Sequence, residues 1–266
     1  MEFNIEEFLN SLPLDTTEID VSGKGLTYLP DLSRFKQLTK LDCYFNQLTE
    51  LPPLNNNLTH LSCSGNQLTE LPPLNDNLTI LECYHNQLTE LPPLNNTLKV
   101  LDCSFNKLTE LPPLNNKLER LYCYHNQLTE LPHLNNNLTH LYCHHNQLTE
   151  LPPLNNNLTQ LYCHHNQITE LPPLNNNLQG LICYHNNMYN ENIEKYKNDY
   201  CNIKIIQTLR NFRNTYYLLK FKKYFKRWLW EKVREPKIMA KFHPSHLNAL
   251  EETDDLEVFL EDWINK

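Results

Sequence analysis

Cysteine, histidine, tyrosine and glutamate return in this sequence at fixed intervals. These are the residue types that could hold a metal, attack a substrate or grip a partner. Cysteine stands at Cys43, Cys63, Cys83, Cys103, Cys123, Cys143, Cys163 and Cys183, with a ninth, Cys201, outside the series and without an assignable role. A disulfide or a thiolate cage needs sulfurs that converge. No Cys-x-x-Cys spacing occurs, and equivalent side chains on neighbouring parallel strands point the same way, which is poor geometry for bridging. The spacing suits a ladder of buried, reduced thiols acting as small apolar filler. His144-His145 and His164-His165 bring four imidazoles into neighbouring repeats, and zinc accepts such ligands. Adjacent residues on a strand face differently, however, and no carboxylate closes the set. The glutamates from Glu50 to Glu170, one per repeat, read as a solvated edge. Nothing pairs a nucleophile with a base, forms a phosphate loop or converges two carboxylates. The expectation is no catalytic, metal or cofactor-binding residue, no small-molecule substrate and no enzyme.

The interval itself dictates the elements that position these residues. From Leu41 one phrase returns every twenty residues, and Leu61-Ser62-Cys63-Ser64-Gly65-Asn66-Gln67-Leu68-Thr69-Glu70-Leu71-Pro72-Pro73-Leu74-Asn75 is one copy. Each copy offers one short strand around Leu61-Ser62-Cys63, pairing in parallel with the next at about 4.8 Å. Leu58, Leu61, Leu68, Leu71 and Leu74 are expected inside. Asparagine is equally periodic, at Asn46, Asn66, Asn86, Asn106, Asn126, Asn146, Asn166 and Asn186. These should be buried and bonded to backbone groups of their own and the adjacent coil, with about 1–3 kcal/mol lost where such groups are left unpaired. Only 4 glycines occur against 17 prolines, so asparagine is the expected occupant of positive-φ turns. Leu71-Pro72-Pro73-Leu74 cannot be a helix interior and should run extended or polyproline-like.

Leu58, Leu61, Cys63, Asn66 and Leu68 fill the frame L-x-x-L-x-L-x-x-N-x-L, so the chain resembles the leucine-rich-repeat family, with cysteine at the third leucine position. The resemblance spans about 19–200 and includes a looser first copy, Ile19 to Leu26, with Lys24 in the asparagine position. It implies an α/β repeat solenoid of about nine coils, a right-handed arc with a concave parallel β-sheet and an extended convex side. The convex phrase is similar to the short repeats of bacterial leucine-rich-repeat effectors.

Copies differ mainly beside the strand, where side chains leave the sheet face. In later copies these positions become tyrosine and histidine, with Tyr122, Tyr142 and Tyr162 in one column and Tyr124, His144, His164 and Tyr184 in the next. With Tyr84 these are the candidate partner-binding residues, since exposed tyrosine supplies large contact area at low entropy cost. A solvated ladder of supporting rings, drifted after duplication, is the alternative.

The repeats divide the chain into 1–18, a capping helix over Ile5–Leu12 stopped at Pro13; 19–200, the solenoid; and 201–266, a helical region. The last begins with a strand pattern, Asn202 to Ile206. It continues with a basic, aromatic helix from about Gln207 to Glu235, and from Lys204 to Arg227 the chain carries eight basic residues and no acidic one. It ends in an acidic amphipathic helix, Asp255–Asn265, capped by Asp254. The basic stretch admits nucleic-acid or anionic-membrane attachment, or simple packing. Tyr224-Phe225-Lys226-Arg227-Trp228-Leu229-Trp230 through His243-Pro244-Ser245 resembles tails of giant DNA virus proteins of the mimivirus type, which implies expression in the cytoplasm of an infected host. The N-terminus has no basic start or apolar run, and no stretch approaches the ~20 apolar residues of a membrane span; the expected setting is cytoplasmic. A scaffold recognising a host or viral protein through the concave face is the expected function. A ubiquitin-ligase-linked adaptor is its enzyme-associated rival, disfavoured by the roughly 65 residues that follow the repeats.

Overall fold

The computed structural model describes residues 3–188. Helix α1, Ile5–Ser11, opens them. Asn4 caps it, its Oδ1 accepting from the amides of Glu6 and Glu7 at 3.1 Å. Ile5 and Leu9 are buried and Phe8 packs beside them, so the helix covers the first end of the core. Leu12 leaves helical geometry just before Pro13.

Nine three-residue strands follow among the described residues: β1 (Glu18–Asp20), β2 (Lys40–Asp42), β3 (His60–Ser62), β4 (Ile80–Glu82), β5 (Val100–Asp102), β6 (Arg120–Tyr122), β7 (His140–Tyr142), β8 (Gln160–Tyr162) and β9 (Gly180–Ile182). They form one parallel sheet in chain order. The register joins identical positions, Leu41 to Leu61, Leu61 to Leu81 and so on, and Ile19 to Leu41 absorbs the two extra residues of the first copy.

Three-residue strands leave most backbone groups to be satisfied elsewhere, and the coils do this in both directions. Cys63 and Gly65 donate forward to the carbonyls of Glu82 and Tyr84 at 2.8 Å, while Thr59 and Gln67 donate backward to Thr39 and Leu48 at 2.8 Å. Among the described residues the coil therefore needs no helix on its far side, which the proline pair would forbid. The interior is a continuous leucine stack: Leu58, Leu61, Leu68 and Leu71 and their equivalents are buried. Leu74 is only half-buried and packs against that core from the proline side.

The asparagine ladder is polar mortar between coils. Asn66 Oδ1 accepts from the Leu48 amide at 3.0 Å, and its Nδ2 donates to Cys43 O at 3.1 Å and Cys63 O at 3.0 Å. Asn46 does the same for the irregular first coil, accepting from Lys24 and Leu26 at 3.0 Å, which is why Lys24 is tolerated there. Asn186, at the end of the described residues, is half-buried, whereas the seven from Asn46 to Asn166 are buried.

A second asparagine ladder runs behind the first, and the sequence reading assigned it no role. Asn115 Nδ2 donates to Asn95 O at 2.8 Å and Leu98 O at 3.1 Å, while its Oδ1 accepts from Lys117 N at 2.7 Å. Asn135 and Asn155 repeat the pattern.

One expectation is overturned. From Phe45 on, the positive-φ residues are not asparagines but the residues just before them: Phe45, His85, Phe105, His125, His145, His165 and His185, at φ 50–53°, with Gly65 in the same place at 63°; in the irregular first coil Gly23 and Gly25 take that region. The ladder asparagine is already committed to its carbonyls, so the left-handed turn falls one residue earlier, where the chain bends from strand into coil.

The strand at 202–206, both C-terminal helices and Cys201 lie outside the described residues.

Candidate functional site

Alternation along each short strand buries the central leucine and turns its neighbours to the sheet face. Four positions per coil reach that side, those of residues 140, 142, 144 and 145, and in later coils the last three become columns of rings. In the first, Tyr142 and Tyr162 stack at 4.2 Å with planes 8° apart, while Tyr122 meets Tyr142 edge-on at 5.0 Å and 68°. In the second, Tyr124–His144, His144–His164 and His164–Tyr184 stack at 4.4, 4.3 and 4.7 Å.

The third column was not recognised as one in the sequence. His85, Phe105, His125, His145 and His165 stack at 4.0–4.3 Å, and His185 follows at 4.5 Å, tilted 33°. Its signal was present: one aromatic immediately before every ladder asparagine except Asn66, which follows Gly65. The left-handed backbone holds every ring at the same angle, so rings one coil apart lie face to face.

The expected partner-binding set is thus brought together with two changes. Tyr84 stands apart from both columns, because Ser64 and Ser104 occupy its neighbouring positions. The rings are also less exposed than expected. Tyr122, Tyr124, Tyr142, His144, Tyr162 and Tyr184 are half-buried or more, and His164 is 8 % exposed. Stacking covers ring faces from Tyr142 to Tyr162 and from Tyr124 through His144 and His164 to Tyr184. Between the first two columns lies a depression of about 510 Å³, lined by Tyr124, Tyr142, His144, Tyr162, His164, Ile182 and Tyr184.

Burial makes this surface neutral. It pulls His144 down to about 3 and His164 to about 4, with neighbouring imidazoles adding to the effect. It lifts the Tyr142 phenol to about 12, helped by Tyr162. The Nδ1 atoms of His144 and His164 are buried without a hydrogen-bond partner, an omission that costs about 1–3 kcal/mol per group.

The four imidazoles do not form a cage. Rings of neighbouring coils are parallel to within 13°, while His144 and His145 meet at 68°, so their nitrogens do not converge on one point. Among the described residues no group of three or more histidine, cysteine, aspartate or glutamate side chains could hold a metal. The edge glutamates Glu50 to Glu170 are exposed.

Cys43, Cys63, Cys83, Cys103, Cys123, Cys143 and Cys163 are free and buried. Burial raises every one of these thiols, Cys43 and Cys163 to about 12, so they are unreactive filler. Cys183 departs from the expected reduced ladder: it is disulfide-bonded. Its coil carries the last strand among the described residues.

A sequence model for leucine rich repeats, in two-copy form, matches residues 56–96, 96–136, 116–156 and 136–176. Among solved structures, YopM from Yersinia enterocolitica is similar at 34% identity over 67% of this chain and 44% of its own, with a TM-score of 0.62. YopM from Yersinia pestis, a leucine-rich effector protein, is similar at 36% identity over 64% of this chain and 49% of its own, TM-score 0.60. The functional domain of InlJ from Listeria monocytogenes, which includes a cysteine ladder, is similar at 34% identity over 66% and 40%, TM-score 0.57. This chain spans less than half the length of each. No curated protein matches, and no match supports the giant-virus resemblance of the tail. A repeated leucine frame, in-register parallel strands and these likenesses agree: the chain has the leucine-rich-repeat fold, matches leucine rich repeats over 56–176, and resembles bacterial leucine-rich-repeat effectors.

Proposed function

We propose that the chain is a non-enzymatic scaffold that binds a protein, of a host cell or of a virus, through the sheet face of its later coils. The observation that carries this reading is the paired ring columns of β6–β9, Tyr142 stacked on Tyr162 beside His144 on His164. They are neutral, pre-ordered and partly solvent-facing. Rings already locked by their neighbours lose little entropy on contact, and large aromatic side chains dominate protein interfaces. Similarity to bacterial effector proteins supports the same class of function.

The test is affinity capture with wild type and with Tyr122→Ala/Tyr142→Ala/Tyr162→Ala, with thermal melting as the folding control. Proteins retained by the wild type should be lost from a variant that still melts cooperatively. An unchanged captured set would end the sheet-face reading and leave the fold untouched.

A further inference from the structure

The sheet position of the first ring column is acidic in three of the four regular coils before it, with Asp42, Glu82 and Asp102 and a serine at Ser62, ahead of Tyr122, Tyr142 and Tyr162. Asp42 is neutralised by Lys40 at 2.8 Å. Glu82 and Asp102 are not neutralised. They are direct register partners on β4 and β5, and like charges so placed repel. The two ion pairs among the described residues, Lys40–Asp42 and Lys99–Glu119, involve neither.

Asp102 is tightly surrounded. Ser104 donates to its Oδ1 from N at 3.1 Å and from Oγ at 2.7 Å. Burial and the Glu82 charge push its carboxyl up, against the pull of Ser104 and of His85. Its charge in turn raises Tyr84, Tyr122 and Tyr124, after the larger effect of their own burial. A carboxylate ringed by phenols and repelled by a second carboxylate is a cation-deficient place. Arg120, one strand on, pairs in register with Val100 and forms no ion pair with Asp102.

We infer that Glu82, Asp102, Tyr122 and Tyr124 receive an arginine side chain from an extended segment of the protein partner, and that an aromatic residue of the same segment enters the neighbouring depression at Tyr142 and Tyr162. This rests on the reading of the sheet face as the binding surface and adds the chemistry it recognises. Arginine fits better than lysine: its planar fork can bridge carboxylate oxygens, and its face can lie on a tyrosine ring. Spacing follows from the strands. Asp102 and Tyr142 are two strands apart, about 10 Å, which a segment in the extended polyproline conformation covers in one turn of three residues, returning both side chains to the same face. The recognised pattern is therefore arginine followed by an aromatic residue three positions later.

The probes are labelled peptides Gly-Ser-Arg-Ser-Ser-Trp-Ser-Gly and its versions with lysine or glutamate for arginine, or alanine for tryptophan. Each is titrated against the full chain, the Glu82→Gln/Asp102→Asn variant and the triple tyrosine variant. The arginine peptide should bind wild type about ten-fold or more tighter than the glutamate peptide, and lysine should fall between. The double variant should lose that preference while melting no lower than wild type, since the amide introduced by Asp102→Asn keeps an oxygen to accept from Ser104. Equal binding of arginine and glutamate peptides overturns the inference, as does a preference that survives in the double variant, or no binding of any peptide. Binding that is lost in the tyrosine variant but indifferent to charge removes the arginine and leaves the sheet face. Charge-dependent binding that is unchanged in the tyrosine variant counts against both.

Discussion

The coils of β1–β5 and those of β6–β9 share one interior and show two different faces. Just after the strand leucine the first group holds Asp42, Glu82 and Asp102 and the second Tyr122, Tyr142 and Tyr162, and of the three ring columns only the third, with His85 on Phe105, already begins in the first group. Inside, Leu101 and Leu161 are equally buried, and Asn106 and Asn166 make the same three bonds. The hydrogen-bonded frame thus constrains only the residues pointing inward and leaves those beside the strand free to diverge. Stability should be uniform along the stack, while recognition should be local.

The sharpest way to break that comparison is a cavity in each half. Leu101→Ala and Leu161→Ala should each cost about 2–5 kcal/mol in equilibrium unfolding, with similar losses in the two halves. A large cost in one and almost none in the other would show that the frame is not shared. Next in size is the polar mortar. Asn106→Ala and Asn166→Ala should each destabilise by about 1–3 kcal/mol per backbone group left unpaired. Asn115→Ala should behave alike in the same chemical denaturation series, and a negligible loss there would mark the second ladder as dispensable.

Acid should separate the halves. His144 and His164 titrate near 3 and 4 in the fold against 6.5 ordinarily, so the unfolded chain binds protons that the folded chain refuses. Their contribution is complete above about pH 6.5 and is lost as pH falls toward 4. Melting temperature should decline across that window. His144→Tyr/His164→Tyr, which copies the tyrosines of neighbouring coils, should flatten the decline; an unaltered slope would place the sensitive groups elsewhere. The smallest effect belongs to the acidic half. Glu82→Gln/Asp102→Asn should gain at most about 1 kcal/mol by removing one like-charge pair, and a clear loss of stability would mean that those carboxylates are satisfied.

Much of this was legible in the chain itself because a repeat states its own register. Cys63, Cys83 and Cys103 at one interval forced parallel coils, and proline after Leu71 and Leu91 excluded helices between them. The two tyrosine–histidine columns followed from the same spacing. The turn residue did not, because its left-handed backbone depends on what the next residue is bonded to: Asn86 and Asn126 are held by carbonyls, so His85 and His125 take the bend. The third ring column was missed for the same reason. Exposure was misjudged because stacking covers ring faces only when the backbone angle repeats from coil to coil, and spacing alone does not reveal that angle.

The claim beneath all of this is that both halves bury the same frame, and thiol accessibility measures it most directly. Native protein treated with a small alkylating reagent, then digested and mapped by mass, should show Cys43, Cys63, Cys83, Cys103, Cys123, Cys143 and Cys163 unmodified, and all seven modified once denaturant is present. Rapid native labelling of any interior member of that series, in either half, would contradict it.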